Sequence, residues 1–138
     1  MSMGSGADRL TAPVIITPGE PAGIGAEITL KSFAGPLRDA SLPVCLMEDP
    51  DRMSQLVDQL GLDISITKIS APEETMHLPA DTLGILPVNW AADPQPSITD
   101  PRNAPAVIDA IRAAATFAQE GRASAIVTSP IHKSVLIE

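Results

Sequence analysis

The sequence has one cysteine, Cys45, one tryptophan, two phenylalanines and no tyrosine in 138 residues. A single cysteine excludes an intrachain disulfide and any metal site built on several thiolates. It suits a reducing compartment, and the expected location is cytoplasmic. With aromatics at 2%, a core has to come from Ile, Leu, Val, Ala and Met. Positive charge is also scarce: 9 Lys+Arg against 17 Asp+Glu leave a net charge of −8. Nucleic acid and anionic membrane surfaces need clustered Lys and Arg, so neither is an expected partner. No apolar run approaches the ~18 residues that cross a bilayer. Met1–Arg9 lacks the apolar stretch of a signal peptide. Residues 1–12 read as a loose N-terminus or a tag remnant, and 13–138 as part of one domain.

What is present is globular: 44% apolar residues and a mean hydropathy of +0.16. Val14-Ile15-Ile16 reads as a buried strand ended by Thr17-Pro18-Gly19. Ile24, Ile28, Leu30 and Phe33 form a helical stripe, expected to begin near Gly23 and to stop at Gly35-Pro36. Val44–Met47 is a second strand. Asp49-Pro50 supplies an N-cap and a first-turn proline for a helix carrying Met53, Leu56, Val57 and Leu60, with Gly61 as its C-terminal cap. Ile64–Thr67 alternates as a third strand. Gly84–Val88 is a fourth, which Pro87 confines to an edge or to a position without a ladder bond. Asn89–Pro105 is a proline-rich irregular connection. Pro105 opens a helix with Val107, Ile111, Ala114 and Ala118 on one face, closed by Gly121. Ala125–Thr128 is the last strand. Strands alternating with helices give an α/β fold with a largely parallel sheet. Val135, Leu136 and Ile137 begin an apolar element that the chain does not complete, so the domain is expected to be truncated.

Two segments carry the chemistry, and both follow strands, where open α/β sheets bind ligands. Thr17–Gly25 has glycines that let the backbone approach a ligand and a helix N-terminus beyond it; within it Gly19, Glu20 and Gly23 are the candidate loop residues. Gly23-Ile24-Gly25 lacks the third glycine of the dinucleotide fingerprint, and no Gly-Lys-Ser/Thr follows. The alternative reading is a plain strand-to-helix turn. The second segment runs from Thr128 through Ser129 and Pro130 to His132 and Lys133. Lys133 offers a compact cation for a phosphate or carboxylate, His132 a donor or proton carrier, and Thr128 a hydroxyl. A solvated His-Lys pair opening a helix is the alternative. His77 reads as an exposed loop residue, Asp49 and Asp51 as capping residues, Trp90 as a side chain packed over the loop base, and Cys45 as a small buried apolar group.

Taken together, Ile16-Thr17-Pro18-Gly19-Glu20-Pro21-Ala22-Gly23-Ile24-Gly25 and Ala125-Ile126-Val127-Thr128-Ser129-Pro130-Ile131-His132-Lys133 resemble the 4-hydroxythreonine-4-phosphate dehydrogenase family of vitamin B6 synthesis. The resemblance runs from about Val14 to Glu138. It implies an isocitrate/isopropylmalate-dehydrogenase-like α/β fold and a homodimer with its active site in an interdomain cleft. It also implies NAD-dependent oxidation and decarboxylation of a small phosphorylated substrate, 4-phosphohydroxy-L-threonine, with a divalent metal (Zn, Mg or Co) polarising the reacting oxygen. Carried over residue by residue, His132 and Lys133 are substrate-binding positions. Ala26 replaces the family's common proline and Ser129 its common glycine or alanine. Family members are much longer, and their metal-binding histidines lie in motifs beyond this sequence, so no metal ligand is expected here and the chain alone is expected to be inactive. Two other readings remain at this stage. One is a dehydrogenase for threonate or erythronate phosphate, and the other a non-catalytic module that binds a phosphorylated metabolite.

Overall fold

Successive residues of a strand face opposite sides of a sheet, and the three inner strands of this chain use that period to supply two cores. In the computed structural model, which describes residues 10–129, five strands form one sheet: β1 (Val14–Thr17), β2 (Val44–Glu48), β3 (Ser65–Lys68), β4 (Thr82–Pro87) and β5 (Ala125–Thr128). Their order is β3-β4-β2-β1-β5, and every pairing is parallel. Ile16, Val44, Leu46, Leu83 and Ile85 face one side, where Leu30 of α1 (Gly25–Ser32) and Met53 and Val57 of α2 (Pro50–Leu60) cover them. Ile15, Cys45, Met47 and Leu86 face the other, against Ala110 and Ala114 of α3 (Ala104–Gln119). The expected parallel α/β fold is therefore present, as three layers. The small residues of α3 let it lie close to the sheet, which suits a chain with few aromatics.

Helix α2 forms where its signals stand. The Asp49 carboxylate accepts a hydrogen bond from the Asp51 N–H at 3.1 Å, Pro50 occupies the first turn, and Gly61 ends the helix with φ 65°. At α1 two expectations need correcting. The helix begins at Gly25, not Gly23, because Pro21–Ile24 forms a turn, with the Gly23 N–H donating to the Glu20 carbonyl at 2.9 Å. Nor does Gly35-Pro36 stop it. Phe33–Leu37 widens into a π-helical turn, which relieves the clash a proline ring makes with the carbonyl four residues back. The helical path then runs on to an Ala40 N–H bonded to the Pro36 carbonyl at 3.0 Å.

Pro87 sits at the end of an interior strand. The Val88 N–H donates to the Glu48 carbonyl at 2.9 Å, so position 87 would aim its missing N–H toward β3, which pairs with β4 only as far as Lys68↔Ile85. Of the two placements its sequence allows, the one without a ladder bond is occupied. Among the described residues no helix is long and apolar enough to cross a membrane.

Candidate functional site at the carboxyl edge of the sheet

β1 and β5 are neighbours in register, with Thr17 opposite Thr128, so the two segments singled out in the sequence leave the same edge of the sheet side by side. A Cβ placed on Gly25 would stand 3.2 Å from the Ser129 Cβ. A side chain at position 25 would therefore crowd Ser129, which would have to shift by a few tenths of an ångström. Thr17 is fully buried beneath them, its hydroxyl pointing to the Val127 carbonyl at 3.5 Å, while Thr128 is exposed. His132 and Lys133 lie outside the described residues.

The glycine-rich loop holds its shape through several bonds. Glu20 Oε1 accepts the Ala22 N–H at 3.1 Å, and the Glu20 carbonyl accepts Gly23, closing a turn. Gly19 is buried, and Gly23 is exposed at the surface of the loop. No side chain caps the N-terminus of α1, and a narrow cleft beside it is bordered by Gly19, Glu20, Gly23, Glu48 and Ser129.

Glu48, Arg52 and Asn103 were not singled out in the sequence, and each is central here. Glu48 ends β2 and is 3% exposed. Its Oε1 accepts from the Asp49 N–H at 2.8 Å and from Trp90 Nε1 at 2.9 Å. Its Oε2 accepts from Arg52 Nη1 at 2.7 Å, and Arg52 Nη2 donates to the Pro21 carbonyl at 2.7 Å. A carboxylate with three donors is a well-satisfied buried anion, which an unpaired one could not be. The connections from β2 and β4 depart to opposite faces of the sheet, the point at which open α/β sheets leave a crevice, and Trp90 anchors there. Buried Asn103 fixes the same connection by exchanging two bonds with the Ala92 backbone, at 2.8 and 3.0 Å. The signals for this cluster were a glutamate closing an apolar strand and its i+4 spacing from Arg52. His77 is exposed, as its surroundings in sequence suggested.

The described residues were tested against the two groups that the resemblance implies. Among them no group of three or more His, Cys, Asp and Glu side chains could hold a metal ion. The acidic residue at the end of β2, which in dinucleotide folds takes the ribose, is Glu48, and both its oxygens are engaged by protein donors. Asp49 beside it caps α2. The described residues alone therefore fit neither a metal nor NAD.

Fold and edge together define a parallel α/β protein in which a glycine-rich loop and the helix after it meet the residue that follows a neighbouring strand. Residues 40–138 match the family model described as pyridoxal phosphate biosynthetic protein PdxA, and the chain belongs to that family. It is 37% identical over 126 residues to a 4-hydroxythreonine-4-phosphate dehydrogenase of Xanthobacter autotrophicus, covering 91% of this chain and 35% of that protein. To the protein of the same name from Roseobacter denitrificans it is 38% identical over 128 residues, covering 93% and 36%. The crystal structure of a 4-hydroxythreonine-4-phosphate dehydrogenase from Burkholderia phymatum superposes with a TM-score of 0.77 at 26% identity, over 91% of this chain and 38% of that one. One from Klebsiella pneumoniae gives 0.75 at 26% identity, over 39% of its chain. The chain thus spans about a third of the length of the curated relatives it matches.

Proposed function

We propose that this chain carries the glycine-rich-loop side of an active site for NAD-dependent oxidation and decarboxylation of 4-phosphohydroxy-L-threonine. The observation that carries the reading is the side-by-side exit of the two family segments from β1 and β5, closed by the Gly25–Ser129 approach. In this reading Lys133 supplies fixed positive charge to an anionic group of the substrate, and His132 donates to it or to a neighbouring oxygen. Thr128 borders the same group, while Gly19, Glu20 and Gly23 shape the opposite wall. The divalent metal and the nucleotide come to the site through parts of the relatives' length that this chain does not span, in a homodimer working on a small phosphorylated substrate in the cytoplasm. When bound, the metal polarises the reacting oxygen. The residues of this chain bind and orient the substrate.

The test joins this chain to the remainder of the Xanthobacter relative and follows NADH formation with 4-phosphohydroxy-L-threonine and a divalent metal. The chimera should turn over and the 138-residue chain alone should not. Charge-assisted bonds are worth roughly 1.5–3 kcal/mol each, so His132→Ala or Lys133→Ala in the chimera should raise KM about tenfold to a hundredfold, more than it lowers kcat. Turnover by the chain alone, or an unchanged KM in both variants, refutes the reading.

A further inference from the structure

Four hydrogen bonds close a ring at the carboxyl edge of the sheet. Glu48 holds Arg52, and Arg52 holds the Pro21 carbonyl. The next carbonyl along the loop, that of Ala22, accepts the Ser97 N–H of the proline-rich connection at 2.9 Å. The same connection returns to Glu48 through Trp90 Nε1 at 2.9 Å. Pro21, Ala22 and Ser97 belong to irregular segments with no ladder to hold them, so beyond the single Ala22–Ser97 backbone bond their relative position depends on these side chains. The Glu48 carboxylate is bonded to both branches.

We propose that Glu48 is a positioning residue that couples the glycine-rich loop to the proline-rich connection, so that the two segments move as one unit. It acts through Arg52 on the loop and through Trp90 on the connection, and it touches no ligand itself. The geometry explains why a charged residue ends an otherwise apolar strand. A carboxylate has two oxygens to divide between the branches, and a guanidinium is a fork that reaches Glu48 and Pro21 at once. An apolar residue at 48 would fill the space and hold neither loop. That the glycine-rich loop borders a substrate site rests on the proposed function. The coupling itself is read without substrate, so the two ideas fail separately.

Trp90 is the single tryptophan of the chain, which gives a direct readout in the 138-residue protein. Arg52 and Trp90 share Glu48, not a contact with each other. Arg52→Met should nevertheless shift Trp90 emission to the red and raise its quenching by acrylamide. Trp90→Phe should speed amide hydrogen exchange at Ala22 and Gly23 at least tenfold, with β1 and β4 amides unchanged. Arg52→Lys keeps a cation on Glu48 and loses the fork. It should restore the Trp90 emission while leaving the loop amides fast, and it also serves if Arg52→Met does not fold. Unchanged emission in Arg52→Met together with unchanged loop exchange in Trp90→Phe overturns the proposal. So does faster exchange that is uniform across loop and sheet, since that is lost global stability and not coupling.

Discussion

At the scale of single residues, burial decides what the side chains of this protein can do. Cys45 lies in the middle of the sheet with no exposure. Loss of solvent around the thiolate pushes the thiol up to about 11 from its ordinary value of 9.0, against a smaller opposing effect of the Thr75 hydroxyl. A thiol held protonated is a poor nucleophile, which agrees with its reading as a small apolar group. Between pH 9 and 11 the unfolded chain releases this proton and the folded chain keeps it. Stability is therefore unaffected by Cys45 below about pH 9 and falls as pH rises toward 11, by about 2–3 kcal/mol in all. Urea unfolding of wild type and Cys45→Ala across this range should show the wild type losing that much more. Parallel curves would mean that the thiol titrates alike in both states. Cys45 was legible from its apolar neighbours. Glu48 was legible only in part: its place at the end of an apolar strand and its spacing from Arg52 stood in the sequence, but its burial by loops arriving from positions 21 and 90 did not.

At the scale of elements, the reading of the sequence succeeded where a terminus is written in its own residues. Asp49, Pro50 and Gly61 bound α2 as expected, and Gly121, with φ 76°, closes α3. It failed at Gly35-Pro36, where two helix breakers in a row are absorbed by a π turn whose cover, Phe33 buried against the sheet, is tertiary. The helical stretch ends instead at Ser41, which has φ 54°. The Ser41 N–H bonds the Arg38 carbonyl at 3.0 Å and the Leu42 N–H reaches the Leu37 carbonyl at 3.3 Å, the pattern that ordinarily carries glycine at this point. A side chain in this conformation costs roughly 1–2 kcal/mol, and glycine gives back part of the gain through the entropy of the unfolded chain. Ser41→Gly should stabilise the protein by about 0.5–1 kcal/mol in thermal or urea unfolding. Gly61→Ala, at φ 65° with open space around its Cβ position, should destabilise by about 1 kcal/mol. The opposite sign at either site would show that the cap does not set the energy.

At the scale of the whole molecule, the two edges of the sheet differ. β3 presents Ser65, Thr67 and Lys68, polar and charged residues of the kind that protect an edge from pairing. β5 presents Ala125, Ile126 and Val127 with Val127 49% exposed, and beside it Ile28 is 51% and Ile24 68% exposed. Val127 and Ile28 line one apolar groove with Val14, Ile16, Leu37 and Leu42, so these two exposed residues are contiguous and not scattered. A contiguous exposed apolar patch of this kind binds apolar probes. The sequence showed the apolar residues of both flanks, but not that they meet, since the stripe of α1 and the strand β5 are about a hundred positions apart and are joined only by the β1–β5 pairing. The chain is acidic, with a net charge of −8, so a neutral dye such as Nile red is the fair probe. Native protein should enhance its fluorescence, and Ile28→Lys combined with Val127→Thr should remove most of that enhancement. Both side chains are already about half in water, so they have little burial to lose, and the double variant should melt within a few degrees of wild type. If the dye signal persists in a variant that melts normally, the exposed apolar surface lies elsewhere on the molecule.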